Sequence, residues 1–183
     1  MNKKMMGDRL YLRRPELDDA AAFLTLRSNN RSFLRPYEPH HPERTYTLEG
    51  QQASIRRIIH QWEQGTGFAT GIFLHHSDQL IGRVHLSNVT RGAWQNCTIG
   101  YFLDQECQGK GYMTEAVRLA VSFAFREAGL HRVEASVLPA NIPSIRVLEK
   151  VGFRYIGLSR AHLKIDGAWR DHLLYSLTSE MEV

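Results

Sequence analysis

Apolar and polar positions alternate along this chain with two different periods, and the change between them marks the elements that the sequence predicts. Ile99, Tyr101 and Leu103 repeat every second residue, which predicts a strand over residues 97–103 with at least one buried face. From about Tyr112 the apolar positions recur every three or four residues, which predicts an amphipathic helix. A glycine-rich turn joins the two, Gln108-Gly109-Lys110-Gly111-Tyr112-Met113. The centre of the chain is therefore predicted to be a strand, a turn and a helix.

The same two periods predict elements on both sides of this segment. Strands are expected at residues 10–13, 68–74, 80–86, 132–138, 153–165 and 169–177, and helices at residues 16–28, 48–64 and 145–150. Residues 87–95 are polar and are predicted to be a connection, and Asp166-Gly167 is a strong hairpin signal. The fold class is therefore predicted to be α/β (α+β), with about seven strands in a mixed sheet and about four helices on its faces.

Length and composition fit one soluble globular domain over residues 1–183. Apolar residues make up 43% of the chain, and no apolar run approaches the roughly 20 residues that a membrane span needs. The start MNKKMMGDRL lacks the long apolar core of a secretory signal, so a cytoplasmic location is expected. Cys97 and Cys107 have neither a disulfide pattern nor a metal-binding spacing, so no metal site is predicted.

The formal net charge of +4 is dispersed, without a polybasic block. It favours a polyanionic ligand or surface, although a solvated basic exterior explains it more simply. The sequence contains no zinc-finger or RNA-recognition signature that would predict a dedicated nucleic-acid-binding protein.

The turn at residues 108–113 has the physical features of an anion-binding site. The first amides of a helix lack intrahelical partners, and the helix dipole places roughly half a positive charge there. The absence of side chains at Gly109 and Gly111 lets a phosphate oxygen approach these amides. The alternative is a strand-to-helix turn whose glycines only satisfy backbone geometry. The spacing matches neither a Walker loop nor a dinucleotide-binding fingerprint.

Together with the downstream strand and the Asn141-Ile142-Pro143-Ser144 segment, this turn resembles the GNAT acyltransferase superfamily. The phosphate motif of that superfamily is Gln or Arg, two variable residues, Gly, one variable residue, and Gly or Ala. Gln108 and Gly111 match it, whereas Met113 replaces the small last residue, so its side chain must point away from the pyrophosphate. Four segments further resemble RimJ-type protein N-terminal acetyltransferases: Phe33-Leu34-Arg35-Pro36-Tyr37-Glu38-Pro39, Ser87-Asn88-Val89-Thr90-Arg91-Gly92, Gln108-Gly109-Lys110-Gly111 and Asp166-Gly167-Ala168-Trp169-Arg170-Asp171-His172.

The resemblance implies a mostly antiparallel sheet that splays between two central strands, with acetyl-CoA as co-substrate and no metal. It implies that Gln108 to Met113 bind the phosphates and that the backbone of Phe102 and Leu103 pairs with pantetheine. Asn141 is expected to touch pantetheine, and Ser144 to lie near the thioester sulfur and protonate the leaving thiolate. From the residues alone, an alternative stays open, in which Asn141 is a helix cap and Ser144 a first-turn residue.

The general base is harder to assign. Many GNAT enzymes carry a glutamate just before the central Ile-Gly-Tyr, and here that residue is Thr98. The resemblance to the related RimL branch implies His162 instead, and an unperturbed histidine pKa near 6.5 suits a base. A surface histidine without a role is the alternative. His85 and Glu134 are lesser candidates and are expected to be structural.

Phe33, Tyr37 and Glu38 lie in the loop that walls the acceptor site in RimJ-type enzymes, where Glu38 is a candidate to meet a positively charged amine. Hydrophobic anchoring of this loop is the alternative.

The leading hypothesis is acetyl transfer from acetyl-CoA to the N-terminal α-amine of a protein, expected to be a ribosomal protein, by direct attack on the thioester. Acetylation of a polyamine, aminoglycoside or amino acid is the second hypothesis, and a non-catalytic acyl-CoA-binding module is the third. A monomer or a homodimer is expected.

Overall fold

An open sheet of eight strands forms the centre of the molecule in the computed structural model, which describes residues 4–181. The strands are β1 (Met5–Met6), β2 (Leu10–Arg13), β3 (Phe68–Leu74), β4 (Leu80–Thr90), β5 (Asn96–Leu103), β6 (Arg132–Val137), β7 (Arg154–Ile165) and β8 (Ala168–Thr178). Their order is β1-β2-β3-β4-β5-β6-β8-β7, and every neighbouring pair is antiparallel except β5 with β6. The predicted mixed, mostly antiparallel sheet is confirmed. Residues 1–3 and 182–183, part of the predicted domain and N-terminal segment, lie outside the described residues.

The described residues form five α-helices: α1 (Ala20–Asn29), α2 (Arg31–Leu34), α3 (Leu48–Gln64), α4 (Tyr112–Arg126) and α5 (Ile142–Val151). The bounds of α3 are as predicted, and the Thr47 side chain caps its start. The helix predicted at residues 16–28 is divided instead, because Glu16 and Asp19 bond reciprocally to backbone amides and hold Leu17–Asp19 as a separate 3-10 turn. Within residues 4–181 no helix is long and apolar enough to cross a bilayer.

Three further boundaries differ from the prediction. β4 extends beyond residue 86, because its pairing with β5 resumes at Thr90 and Asn96 after an irregularity. α5 begins at Ile142 rather than at residue 145, because the Asn141 side chain accepts a hydrogen bond from the first turn. The short β1 is absent from the prediction, since pairing with β2 defines it rather than an apolar pattern.

Two apolar clusters hold the helices on the two faces of the sheet. Leu10 and Leu12 of β2 belong to the cluster that includes Leu148 of α5 and the buried face of α4, whereas Tyr11 packs with Phe23 of α1 and with α3. This division follows from the alternation of side chains along a strand. Burying each large apolar side chain contributes about 1.5–3 kcal/mol, so these contacts fix where α4 and α5 lie against the sheet.

The two central strands diverge at one end. β5 and β6 pair only from Asn96 and Arg132 to Thr98 and Glu134. Beyond that point β5 stays paired with β4, and β6 with β8, to their C-terminal ends. The predicted splay is therefore confirmed, and it leaves the backbone edge of β5 open to a ligand.

Candidate active site

A cleft with a volume of about 1090 Å³ opens where β5 and β6 diverge. Its lining includes Asn141 and Ser144 at the start of α5, and Tyr37 and Glu38 from the loop after α2. The fold thus brings part of the predicted donor-binding set, Phe102, Asn141 and Ser144, and part of the predicted acceptor loop to one cavity, whereas Leu103 and residues 108–113 are not part of its lining. The size is that of a site for a small-molecule ligand or cofactor.

The predicted phosphate turn lies between the C-terminal end of β5 and the start of α4. Gly109 and Gly111 have φ angles of 75° and 80°, in the left-handed region that other residues disfavour. Among the described residues no side chain caps α4, so its first amides can donate hydrogen bonds to an anion. Met113 is buried in the core, so its side chain does point away from the turn.

Side chains of the turn itself brace its backbone. Gln108 Nε2 donates to the carbonyl of Leu103 at 3.2 Å, and Lys110 Nζ donates to the carbonyl of Glu106 at 3.0 Å. The structure therefore gives Gln108 a positioning role, in which its side chain ties the turn to the end of β5. Tyr112 is the first residue of α4 and is half-buried.

Arg9 is a residue of this site that sequence reasoning missed. Its Nη1 donates to the carbonyl of Lys110 at 2.8 Å, and its Nε donates to Glu115 of α4 at 2.9 Å. An added Cβ at Gly111 would lie 3.3 Å from Arg9 Nη2. The guanidinium therefore lies against the turn and adds positive charge there. A separation of 101 residues from Lys110 leaves no local signal in the sequence.

Phe102 and Leu103 form the end of β5 at the opening. Phe102 lines the cleft, whereas the Leu103 side chain is buried in the core. Pairing with β6 ends at Thr98, so the backbone of both residues lies along a free strand edge. Such an edge binds an extended chain by main-chain hydrogen bonds.

Ser144 and Tyr101 form a hydroxyl pair inside the cleft. The Tyr101 hydroxyl lies 2.9 Å from Ser144 Oγ, and it joins β5 to α5 beneath the splay. Burial raises the pKa of Tyr101 to about 12, although the hydrogen bond with Ser144 opposes this, so the phenol remains protonated. The Asn141 side-chain oxygen accepts a hydrogen bond from the Ser144 amide at 3.3 Å. Asn141 is therefore the helix cap. Its side-chain amide nitrogen bonds none of the described residues, so it can donate to a ligand.

His162 lies in the wall of the cleft and is held from two sides. Its Nε2 is 3.1 Å from Ser136 Oγ of β6, and its Nδ1 is 3.0 Å from Ser159 Oγ of β7. The ring of His172 lies 5.5 Å away between centroids. Burial lowers the pKa of His172. The nearby His162 acts in the same direction, and the hydrogen bond with the Arg170 carbonyl opposes it, so His172 favours its own neutral form. The His162 ring is therefore held in place by hydrogen bonds of both its nitrogens with serine hydroxyls.

His85 of β4 also faces the cleft and cannot act as a base near neutral pH. Burial and the charge of Arg83 lower the pKa of His85 to about 3. A Cβ at the paired Gly100 would lie 2.5 Å from His85 Cε1, so the imidazole occupies the space above that glycine. Residue 100 must therefore be a glycine to leave room for the imidazole of His85. This packing fits the structural role that is expected of His85.

Two carboxylates line the cleft, and both have cationic partners. Glu134 accepts from Arg132 Nε at 2.7 Å. Glu38 accepts two hydrogen bonds from Arg27, at 2.9 Å and 2.7 Å. Burial would raise the pKa of Glu38, but His41 and Arg27 outweigh it and lower the pKa below its usual value. Arg27 therefore already neutralises the carboxylate that was a candidate to meet an amine.

The loop around Glu38 is fixed to the far hairpin of the sheet. The Glu38 carbonyl accepts from the Asp166 amide at 3.2 Å, and Arg35 Nε donates to the Asp166 carboxylate at 2.8 Å. Tyr37 is exposed at the mouth of the cleft. The Phe33 ring packs 6.3 Å from the Tyr37 ring and supports it from outside the cleft lining.

The splayed sheet, the glycine turn before α4 and the hydroxyl pair are together compatible with transfer of an acyl group. A family model described as the acetyltransferase (GNAT) domain matches residues 9–154, and the chain belongs to this family. The sequence is 44% identical over 173 residues to the probable N-acetyltransferase YjcK of Bacillus subtilis strain 168, covering 94% of this chain and 96% of that protein. It is 36% identical over 176 residues to the ribosomal protein uS5-alanine N-acetyltransferase of Escherichia coli K12, covering 96% and 91%. The solved structure of Mycobacterium smegmatis RimJ in complex with CoA-disulfide matches with a TM-score of 0.89 and 33% identity, covering 93% of this chain and 82% of that one.

The protein is thus an N-acetyltransferase, and acetyl-CoA is its acetyl donor. The site fits this donor on its own geometry, because the glycine turn offers amides to phosphates and the free edge of β5 offers backbone groups to pantetheine. Within residues 4–181 no cluster of three or more His, Cys, Asp or Glu residues could hold a metal ion.

Proposed function

We propose that this enzyme acetylates the N-terminal α-amine of a protein, with a ribosomal protein as the expected acceptor and the cytoplasm as the place of reaction. The observation that carries the proposal is the absence of an unpaired carboxylate among the described residues that line the cleft. Thr98 stands where many GNAT enzymes have a glutamate base. Similarity to the E. coli uS5-alanine N-acetyltransferase supports the same acceptor class.

The choice between α-amines and lysine follows from the cost of deprotonation. An α-amine has a pKa of about 7.7–8.0, against about 10.4 for a lysine side chain. Making the lysine amine neutral at pH 7 therefore costs about 3.5 kcal/mol more, since each unit of pKa is worth about 1.4 kcal/mol. A cleft without a free carboxylate is better matched to the α-amine.

Each proposed step uses a residue of this chain. The turn at residues 108–113 binds the phosphates, and the backbone of Phe102 and Leu103 holds the pantetheine arm. The neutral amine attacks the thioester carbonyl carbon, and the carbon–sulfur bond breaks. Ser144, held by Tyr101, gives a proton to the leaving thiolate, and His162 accepts the proton lost by the amine, directly or through water. Return of that proton to Ser144 through water restores both side chains. The amide and free coenzyme A are the products.

The test compares peptides that differ only at the N-terminus. A short peptide with a free N-terminal Ala or Ser is expected to be acetylated on its α-amine, as measured by thiol release and by mass spectrometry of the product. The same peptide with a blocked N-terminus and intact lysines is expected not to react. Faster turnover of the blocked peptide or of spermidine would reject the proposal and favour a small amine as acceptor.

A further inference from the structure

The cleft contains a cationic cluster that acetyl transfer itself does not need. Among the described residues that line the cleft, four are arginines and two are glutamates: Arg27, Arg44, Arg57, Arg83, Glu38 and Glu134. Arg83 lies on β4, Arg57 on α3 and Arg27 on α1, so three different elements direct guanidinium groups to one region.

The two carboxylates do not balance this cluster. Glu38 is engaged in a bidentate pair with Arg27, and Glu134 is paired with Arg132 outside the cluster. Arg83 Nε is buried from solvent and has no hydrogen-bond partner within residues 4–181. Arg83 is thus a half-buried cation that faces the cavity without a carboxylate of its own.

The surroundings of Arg83 favour an anion. Burial, and then the charges of Arg27 and Arg57, lower the pKa of Arg83 to about 10, while Glu38 acts in the opposite direction. Arg83 still carries its charge at neutral pH, and its neighbours repel further cations. A buried charged donor without a partner is costly, and an incoming carboxylate would both bond it and balance its charge.

The register of the sheet places this anion site close to the chemistry. Arg83 and His85 lie two positions apart on one face of β4, opposite Phe102 and Gly100 of β5, whereas the Tyr101 side chain that contacts Ser144 lies on the other face. Positions two residues apart on one face of a strand are separated by about 7 Å. A group bound by Arg83 would therefore lie about 7 Å along β4 from the level of Gly100, the residue before Tyr101, a distance that one or two residues of an extended peptide can span.

We infer that Arg83, assisted by Arg57, binds an acidic side chain at the second or third residue of the acceptor peptide. The inference rests on the proposed function, because it takes a peptide N-terminus as the acceptor. It deepens that function by assigning a sequence preference, namely a small first residue followed by Asp or Glu.

The experiment compares two peptides that differ only in Glu or Gln at the second residue after an N-terminal Ala. The kcat/KM of the purified full chain is expected to be about tenfold or more higher for the Glu peptide, mostly through KM, as a hydrogen bond to a charged group would give. Arg83→Gln should bring the ratio of the two kcat/KM values close to one. Arg56→Gln removes an exposed arginine of α3 that is outside the cleft lining, and should keep the wild-type ratio.

Other outcomes separate this inference from the proposed function. Equal kcat/KM values for the two α-amine substrates would overturn the inference and leave the proposed function standing. Turnover of spermidine with neither peptide reacting would reject both. Faster acetylation of free glutamate than of the Glu peptide would assign the arginines to an α-carboxylate and overturn the inference. If Arg83→Gln does not bind acetyl-CoA, Arg57→Gln is the second variant. If the ratio of kcat/KM for the Glu and Gln peptides is the same in Arg57→Gln as in the wild type, at both low and high salt, this also counts against the inference.

Discussion

In the proposed mechanism, the hydroxyl pair of Ser144 and Tyr101 decides how the leaving thiolate is protonated. A serine hydroxyl alone is a weak acid, and its orientation in a wide cleft is loosely fixed. The Tyr101 hydroxyl lies 2.9 Å from Ser144 Oγ, and burial keeps the phenol protonated. Tyr101 can therefore donate to Ser144 and direct the serine proton towards the ligand. This makes Tyr101 a positioning residue that acts through Ser144.

Replacing Ser144 tests this arrangement. Ser144→Ala is expected to lower kcat by about 10²-fold, the effect of one proton-transfer partner, with the affinity for acetyl-CoA nearly unchanged. Tyr101→Phe should lower kcat less, and combining the two substitutions should add little to Ser144→Ala, because both act on one proton. Steady-state kinetics and calorimetric titration with acetyl-CoA measure the two quantities. Full turnover by Ser144→Ala would reduce this serine to a first-turn residue of α5.

At this scale the sequence predicts residues whose neighbours along the chain define them. The turn at residues 108–113 and the Asn141 cap are local patterns, so they could be identified from spacing and family resemblance. Arg9, Tyr101 and Arg83 could not, because the surroundings of each are formed by residues that only the folded sheet brings near. Tyr101 alternates as an ordinary strand residue, and its partner Ser144 lies 43 positions further on.

In the proposed donor site, the glycine turn and the start of α4 act together as one anion-binding element. Gly111→Val is expected to weaken acetyl-CoA binding at least tenfold, because a branched side chain resists φ of 80° and would move the turn and its amides. The backbone strain costs about 1–2 kcal/mol, so the variant should still fold. Gly92→Val is a matched control, because Gly92 has φ of 73° and open space around it in the loop before β5. Calorimetric titration of both folded variants gives the comparison, and equal affinities would remove the turn from the donor site.

The accuracy of the prediction at the element scale depends on which interactions define an element. The alternating and helical apolar patterns predict β3 and α3 with the bounds that the structure shows. Side-chain hydrogen bonds hold the 3-10 turn before α1 and cap the start of α5, and cross-strand pairing decides the end of β4. The spacing of apolar residues along the chain predicts neither side-chain capping nor cross-strand pairing. The position of β8 between β6 and β7 and the divergence of β5 from β6 likewise require the whole sheet, and only the family resemblance predicts the divergence.

Across the whole molecule, several titratable groups are held in the form that is stable near neutral pH. Burial and Arg83 lower the pKa of His85 to about 3, and burial lowers the pKa of His172. Burial opposes the lowered pKa of Asp19, but the hydrogen bonds from Arg13 and from the Glu16 amide outweigh it. Arg27 and His41 have the same effect on Glu38. Each of these groups has a lower pKa folded than unfolded, so each contributes stability that acid removes.

The free energy of unfolding is therefore expected to fall in two stages on acidification. Below about pH 6.5, the usual pKa of histidine, His85 and His172 are protonated in the unfolded chain but stay neutral in the folded one. Each of them therefore lowers the free energy of unfolding by at most about 1.4 kcal/mol per pH unit. Below about pH 4, protonation of carboxylates such as Asp19 and Glu38 adds a second loss.

Urea titrations from pH 8 to pH 4 measure this dependence. His85→Gln should flatten the first stage, because glutamine does not titrate. His60→Gln, at an exposed position of α3, should keep the wild-type slope. An unchanged slope between pH 6.5 and pH 4.5 in His85→Gln would mean that His85 gains a proton in the folded cleft and remains a candidate base.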